Sequence, residues 1–122
     1  MIVVVGAGVA GLTAVDQLAE AGVAVTLVTA GCFGADGIAA GNTALAQGGI
    51  AAALGPDDTP QLHAADTITA GAGLVDADVA GLLAQDGITQ VQQLVDAGFP
   101  ADRNAHGQLV LGLEAAHSAA RI

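Results

Sequence analysis

The apolar residues near the start of the chain follow two different patterns. Residues 2–5, IVVV, are all β-branched and have no polar face, which is typical of a strand buried on both sides of a parallel sheet. The run 23–29, VAVTLVT, has the same buried character. Between them, apolar residues repeat at helical spacing and stop before Gly22; they are Leu12, Val15 and Leu18. The pattern predicts a βαβ unit of about thirty residues.

The next part of the chain is rich in glycine and has weaker periodicity. Residues 30–41 contain four glycines and are predicted to form a loop. We expect a short helical turn near 43–47 and an extended piece near 49–54. The sequence GPDDTP, 55–60, then predicts a turn and a helix start, because Thr59 can cap the helix and proline fits its first position.

Two further helices and one short strand are predicted in the second half. The first helix begins after Thr59 and runs to about residue 70, and the second runs over about 77–97 with Asp76 as its cap. Its expected buried stripe consists of Val79, Leu82, Leu83, Val91, Leu94 and Val95. Residues 103–108 are typical of a turn, and LVLGL, 109–113, of a strand.

The predicted elements belong to the α/β class, yet they do not complete a domain of that class. Two parallel strands leave both sheet edges open and one helix layer missing. We therefore expect residues 1–122 to be the N-terminal portion of a larger Rossmann-like domain, and to be inactive alone.

Charge and composition exclude several classes of partner. The chain carries twelve acidic residues against Arg103 and Arg121, and it has no lysine. This balance argues against nucleic acid and against anionic membrane surfaces as partners. The lone Cys32 cannot form an internal disulfide, and no metal-ligand spacing occurs. The apolar N-terminus lacks a basic region and is interrupted by glycines, which predicts a cytoplasmic protein without a signal peptide or membrane span.

The sequence GAGVAG follows the first predicted strand and opens the first helix. It matches G-x-G-x-x-G: Gly6 makes the tight turn, Gly8 lets the backbone approach a pyrophosphate, and Gly11 lets the helix pack on the strand. In this βαβ setting the motif predicts dinucleotide binding, mainly through backbone N–H groups. The candidate cofactor-binding residues are Gly6, Ala7, Gly8, Val9, Ala10 and Gly11.

The end of the second strand does not indicate NAD. An acidic residue there would bind a ribose, but the strand ends in Val-Thr-Ala-Gly, and the next acid is Asp36 in the loop. Thr29 can still hydrogen-bond the adenosine part, and Ala30 lies next to it. A non-catalytic NAD(H)-binding module nevertheless remains one alternative, and an inactive fragment is another.

Four sequence blocks together carry a family resemblance. They are VVVGAGVAGL, AQGGIAAAL, HAADTITAGAGLVD and EAAHSAARI, and their spacing is consistent over nearly the whole chain. The chain resembles the succinate dehydrogenase and fumarate reductase flavoprotein family, and the last two blocks resemble its aspartate oxidase branch. The resemblance implies an FAD-dependent oxidoreductase of NAD biosynthesis that oxidises L-aspartate to iminoaspartate, with O2 or fumarate as acceptor. A fumarate reductase or succinate dehydrogenase-like flavoprotein is the alternative within the family.

The resemblance also implies roles for the block around the second glycine pair. Its residues would lie beside the isoalloxazine ring and the ribityl chain of FAD; they are Asn42, Thr43, Ala44, Leu45, Ala46, Gln47, Gly48 and Gly49. Relatives of the succinate dehydrogenase type have a histidine at the place of Asn42 that bonds covalently to FAD. An amide cannot make that bond, so noncovalent FAD is expected.

The last block supplies the one candidate residue for the substrate. By resemblance, Glu114 orients the substrate by pairing with the amino group of L-aspartate, which succinate lacks. The family's catalytic arginine is expected beyond Ile122. Structural roles are predicted for His63, His106 and His117. The chain departs from the family at four positions: Ala30 replaces a basic residue, Ala115 and Ala116 replace glycines, and Ala120 replaces an arginine.

Overall fold

The computed structural model describes residues 1–31, 33–34, 37–38, 42–46 and 49–122. The chain divides into two compact units, Met1–Gly48 and Gly49–Ile122. Four residues that the sequence analysis singled out lie outside the described residues: Cys32, Asp36, Gln47 and Gly48.

The first unit begins with the predicted βαβ arrangement. Strand β1 (Ile2–Val5) pairs in parallel with β2 (Val25–Val28), and helix α1 (Val9–Glu20) connects them. The expected α/β class is confirmed. The second strand is shorter than predicted, because the N–H of Val23 donates to the carbonyl of Leu18 at 2.8 Å and so belongs to the helix end. Gly22, with φ of +71°, makes that helix end possible.

The described residues of the glycine-rich segment include two short strands that the sequence does not predict. Two-residue strands β3 (Phe33–Gly34) and β4 (Gly37–Ile38) pair antiparallel, where a loop without structure was expected. A hairpin of this length rests on few backbone pairs, which hydrophobic periodicity cannot reveal. The predicted helical turn is present as α2 (Asn42–Leu45). The extended piece near 49–54 is not a strand; its Ala52 N–H donates singly to the carbonyl of Ile122 at 3.2 Å.

The second unit is built around two helices whose ends were correctly predicted. They are α3 (Pro60–Ala70) and α4 (Ala77–Asp96). The Thr59 hydroxyl accepts the N–H of Leu62 at 3.1 Å, and the Asp76 carboxylate accepts two N–H groups of the first turn of α4. Gly98, with φ of +98°, ends α4 in a Schellman motif.

The core of the second unit consists mainly of alanine. Its buried apolar residues are Ala52, Ala53, Ala64, Ala80, Ala84 and Val91. The stripe predicted for α4 holds at Val91, which is buried, and at Val95, which is half-buried. It is wrong at Leu82 and Leu83, which are 61% and 66% exposed, and also at the exposed Val79 and Leu94. At 100° per residue, Leu82 lies about 180° from the face that Ala80 and Val91 share. The small residues let α3 and α4 approach closely, and the larger ones point outward.

The C-terminal segment forms bridges in place of the predicted strand at 109–113. Leu109 pairs with Arg103, whereas Gly112 pairs with Arg121, so no continuous ladder develops. The predicted turn at 103–108 is present: the side-chain oxygen of Asn104 accepts the N–H groups of His106 and Gln108. In the described part of the chain, no helix is both long and apolar enough to cross a membrane.

Candidate functional site

The turn between β1 and α1 has the backbone shape that its glycines allow. Gly6 has φ of +103°, a conformation that side chains strongly disfavour. Its N–H donates to the carbonyl of Val28 at 2.8 Å, which fixes the turn to the end of β2. The following residue, Ala7, is buried. The turn is therefore anchored to both parallel strands.

Gly11 is the position where the helix crosses this turn most closely. A Cβ atom added there would overlap the carbonyl oxygen of Gly6 and lie 3.0 Å from its carbonyl carbon. Both neighbours are backbone atoms, which cannot rotate away as a side chain could. The third glycine of the motif is required for the helix to start where it does.

The first turn of α1 presents backbone donors without side-chain cover. Gly8 is the N-cap and supplies no side-chain cap. Val9 donates its N–H to the Thr43 hydroxyl at 3.1 Å, and a Cβ on Gly8 would lie 3.2 Å from the same oxygen. Among the described residues, the N–H groups of Ala10 and Gly11 have no acceptor. Unpaired N–H groups at the positive end of a helix fit an anionic group such as a pyrophosphate.

The remaining described cofactor candidates lie at two other places of the first unit, except Gly49, which is the first residue of the second unit. Thr29 and Ala30 follow β2, next to the glycine turn, because Val5 and Val28 are register partners. The Thr29 hydroxyl accepts the N–H of Gly31 at 3.3 Å. The exposed residues of the family block are Asn42, Thr43, Ala44, Leu45, Ala46 and Gly49. Of these, Thr43 is the one that the structure brings into contact with the glycine turn.

In the second unit, Glu114 lies in a loop closed at both ends. We refer to residues 112–121 as the Glu114 loop. Gly112 and Arg121 exchange two backbone hydrogen bonds of 2.7 and 2.9 Å at its base. Within it, the carbonyl of Glu114 accepts the N–H of His117 at 2.9 Å, which makes a four-residue turn. The Glu114 side chain is exposed on this turn. Ala115 and Ala116 keep negative φ, so the turn does not need the glycines of the family pattern.

Arg121 connects the Glu114 loop to the start of α3 and to its middle. Its side chain is fully buried, and Nε and Nη2 donate to the two carboxylate oxygens of Asp58 at 2.7 and 3.0 Å. Its Nη1 lies 2.7 Å from Oδ2 of Asp66, in an ion pair outside hydrogen-bond alignment. Burial alone would lower the pKa of Arg121, but the hydrogen bonds to Asp58 and the adjacent Asp66 carboxylate raise it, and the guanidinium stays charged.

Asp66 binds the Glu114 loop at a second point. Its Oδ2 accepts both the backbone N–H and the hydroxyl of Ser118, each at 2.9 Å. The Ser118 N–H is the first cause that lowers the pKa of Asp66 to about 2, and the Arg121 guanidinium contributes further. An ionised carboxylate on α3 therefore binds two residues of the loop.

Two histidine rings lie next to this cluster. The rings of His63 and His117 meet edge to face with centroids 6.2 Å apart. Desolvation is the main cause that lowers the pKa of His63, followed by the charge of Arg121. The neutral form of His63 is therefore favoured at this position.

Both arginines of the chain are engaged in local structure. Arg121 is buried against Asp58 and Asp66, and Nη1 of Arg103 donates to the carbonyl of Gly107 at 2.8 Å. The buried Arg121 is not accessible to a substrate carboxylate or a phosphate, whereas Arg103 is exposed and uses one of its donors locally. Apart from Arg103, anion binding by this chain rests on backbone N–H groups, because the chain has no lysine.

Comparison with known proteins agrees with the dinucleotide binding inferred from the glycine turn. The sequence profile of the FAD binding domain family matches residues 1–122. The chain belongs to the FAD binding domain family. This membership confirms the resemblance found in the sequence and establishes FAD as the cofactor of the family to which the chain belongs.

Within the FAD binding domain family, the chain is similar to L-aspartate oxidases and to a chain of an Sdh1 complex. An L-aspartate oxidase from Caulobacter vibrioides is 49% identical over 98% of this chain, and one from Streptomyces coelicolor is 43% identical over 99%. The chain spans about a fifth of the length of these curated relatives. The Mycobacterium smegmatis Sdh1 complex contains a chain with a TM-score of 0.85 and 35% identity, covering 99% of this chain and 20% of that one.

The buried carboxylates were not predicted as members of a cluster. Asp58 lies in the segment that predicts a turn and a helix start, and the sequence gives no separate signal for Asp66. The one sequence signal that bears on them is the shortage of cations, since the chain has two arginines and twelve acidic residues. A buried arginine needs a carboxylate partner, so acidic residues are expected around any arginine that the fold buries. In this member of the FAD binding domain family, that cluster holds the loop of the candidate substrate residue.

The lowered pKa of Asp66 predicts a pH-dependent stability difference. Because its folded pKa is about 2 against 3.8 unfolded, its ionised form stabilises the fold above pH 4, and this contribution is lost as pH falls from 4 towards 2. Asp66→Asn should therefore lower the thermal unfolding midpoint at pH 7, and the gap to the wild type should narrow below pH 4. The two largest causes of the lowered pKa of His63, desolvation and the charge of Arg121, are common to both proteins, and the charge of Asp66 is the smallest of its causes. A gap that stays constant down to pH 3 would contradict the assignment; Asp86→Asn is the control.

Proposed function

We propose that this chain is the N-terminal FAD-binding part of an enzyme that oxidises L-aspartate to iminoaspartate, with O2 or fumarate as acceptor, in NAD biosynthesis. The observation that carries the proposal is the series of L-aspartate oxidases that are 42–49% identical to at least 98% of the chain. The βαβ unit with its open sheet supports a Rossmann-like domain that further segments complete.

The glycine turn would hold the pyrophosphate of FAD. Three features of the turn support this: the left-handed Gly6, the close crossing at Gly11, and the N–H groups of Ala10 and Gly11 that have no acceptor among the described residues. The hydroxyl of Thr43, which already accepts the N–H of Val9, would border the same site. When bound, FAD supplies the acceptor for the hydride that leaves the α-carbon of the substrate.

Glu114 would give the enzyme its preference for an amino acid. Its exposed carboxylate stands at the first position of a turn that is closed by backbone hydrogen bonds on both sides. A fixed carboxylate attracts the ammonium group of L-aspartate, whereas succinate offers no cation to pair with it. The two substrate carboxylates need more cations than the described residues offer, because Arg121 is buried and Arg103 is the one exposed arginine.

Glu114→Gln is expected to reduce discrimination between L-aspartate and succinate. In the full-length protein we expect KM for L-aspartate to rise about tenfold or more, since a charge-assisted hydrogen bond contributes about 1.5–3 kcal/mol. The inhibition constant of succinate should stay within about twofold, because that ligand has no amino group. The matched control is Glu20→Gln on the exposed side of α1. Equal changes for both ligands would remove Glu114 from the amino-group site.

Acid precipitation tests how FAD is attached. We expect flavin to remain in the supernatant when the full-length protein is precipitated with acid, because the Asn42 amide cannot form the covalent bond made by a histidine. Absorbance of the supernatant and of the redissolved pellet gives the partition. Flavin that stays with the pellet would contradict noncovalent binding, and Asn42→His shows whether the position can support a covalent bond.

A fumarate reductase or succinate dehydrogenase-like activity is the second candidate. The similarity to a chain of the Mycobacterium smegmatis Sdh1 complex, at 35% identity, favours it. The higher identity to L-aspartate oxidases, up to 49%, favours the first candidate. Reduction of the bound flavin by succinate would support the second.

A further inference from the structure

The Glu114 loop is attached to α3 by side chains that the proposed chemistry does not use. Its base is closed by Gly112 and Arg121, but backbone pairing at the base leaves the orientation of the loop tip undetermined. Ser118, four residues after Glu114, is bound by a carboxylate 52 positions earlier in the chain. This long-range contact fixes the C-terminal side of the turn that carries Glu114.

We propose that Asp66 is a positioning residue that sets the place of the Glu114 carboxylate by holding Ser118 and Arg121 of the same loop. The proposal rests on the proposed function of Glu114 as the partner of the substrate amino group. It makes the specificity of the site depend on a carboxylate of α3 that has no part in the proposed contact with the amino group.

The geometry of Asp66 supports a positioning role better than a simple surface role. One oxygen, Oδ2, accepts two hydrogen bonds from Ser118 and lies 2.7 Å from Nη1 of Arg121. Arg121 is itself held by both oxygens of Asp58. The loop is thus bound to α3 and to the residue before its cap by charged groups, which are stronger partners than neutral ones.

A close backbone approach restricts the loop from another side. A Cβ atom added to Gly55 would lie 2.9 Å from the carbonyl oxygen of Ala120 and 3.1 Å from a methyl group of Leu111. The loop therefore rests on the turn before α3 without space between them. Release of the Asp66 contacts frees the Ser118 side of the loop, while Gly55 continues to restrict its base.

Loss of the Asp66 contacts to the Glu114 loop should weaken binding of the substrate amino group and leave the other binding contacts unchanged. A displacement of about 1 Å in a binding group can cost up to about a hundredfold in rate. For Asp66→Ala in the full-length protein we expect KM for L-aspartate to rise about tenfold, with the inhibition constant of succinate and the flavin content unchanged. A general loss of structure would weaken both ligands and FAD together, so this split separates the two roles.

The double variant Asp66→Ala, Glu114→Gln decides whether Asp66 acts through Glu114. If it does, the double variant shows no further rise in KM beyond that of Glu114→Gln alone. Multiplicative effects would overturn the proposal. If Glu114→Gln alone leaves KM for L-aspartate unchanged, the function proposed for Glu114 fails; if it raises KM and Asp66→Ala does not, the positioning role alone fails.

Two further measurements test the proposal if Asp66→Ala does not fold or if the enzyme shows no turnover. Ser118→Ala removes one hydrogen bond and leaves the backbone, and should raise KM for L-aspartate about threefold. If Asp66→Ala does not fold, an unchanged KM in Ser118→Ala overturns the proposal. Independently of activity, hydrogen exchange of the peptide 112–121 should accelerate at least about fivefold in Asp66→Ala and not in Asp86→Ala. Unchanged exchange in Asp66→Ala would overturn the proposal as well.

Discussion

Replacing Gly11 by alanine is expected to remove FAD from the full-length protein almost completely. In an ordinary helix this change stabilises by about 0.5–1 kcal/mol. Here the added Cβ atom overlaps the carbonyl oxygen of Gly6, so either the helix start or the left-handed turn must move. Either movement displaces the N–H groups proposed to bind the pyrophosphate. A loss of about 2 kcal/mol or more in binding corresponds to a fall in affinity of more than about tenfold.

Gly81→Ala is the matched control for Gly11→Ala. It also lies inside a helix, and nothing lies within 4 Å of its added Cβ atom. We expect full flavin content and a slightly raised unfolding temperature. Flavin content is measured by absorbance against protein concentration after gel filtration. Equal flavin content in the two variants would contradict the role of the glycine turn.

Arg121→Ala should cause the largest loss of stability among single substitutions in the second unit. The side chains of Arg121 and Asp58 are both fully buried, and removal of the guanidinium leaves the Asp58 carboxylate unpaired. Breaking a buried pair in this way costs about 3–5 kcal/mol. The expected result is a markedly lower urea midpoint, followed by the helix signal in circular dichroism.

Arg103→Ala is the comparison for this prediction. Arg103 is exposed and makes one hydrogen bond to the carbonyl of Gly107, so its loss should cost no more than about 1 kcal/mol. Similar midpoints for Arg103→Ala and Arg121→Ala would show that the buried cluster does not hold the unit together.

Helix ends were predictable because local chemistry determines them. Thr59 and Asp76 accept N–H groups within their own first turns, and Gly98 adopts the positive φ that ends α4. These contacts span three or four residues and leave a direct signature in the sequence. The glycine turn was predictable because its three glycines lie within six residues of the sequence, and the third of them, Gly11, meets the backbone of the first.

The buried face of α4 was not predictable from apolar residues alone. The helix carries alanines on one face and leucines on another, and the unit buries the alanines at Ala80 and Ala84. A large apolar side chain favours burial more strongly per residue, but close packing of two helices favours small ones. The sequence of α4 is compatible with burial of its leucines and with burial of its alanines, and it does not indicate which face is buried.

The cluster around Arg121 was missed because its members are far apart in the sequence. Asp58 lies 63 positions from Arg121, and Asp66 lies 52 positions from Ser118. No local pattern joins them, and each taken alone resembles an ordinary surface acid. Only the folded chain shows that the loop of Glu114 depends on α3.

Anaerobic reduction of the bound flavin tests directly whether the full-length protein oxidises L-aspartate rather than succinate. The full-length protein is mixed with L-aspartate or with succinate in the absence of oxygen, and the absorbance of oxidised flavin is followed. We expect L-aspartate to remove this absorbance and succinate to leave it unchanged. Bleaching by succinate, or no bleaching by L-aspartate in a protein that contains its flavin, would contradict this expectation.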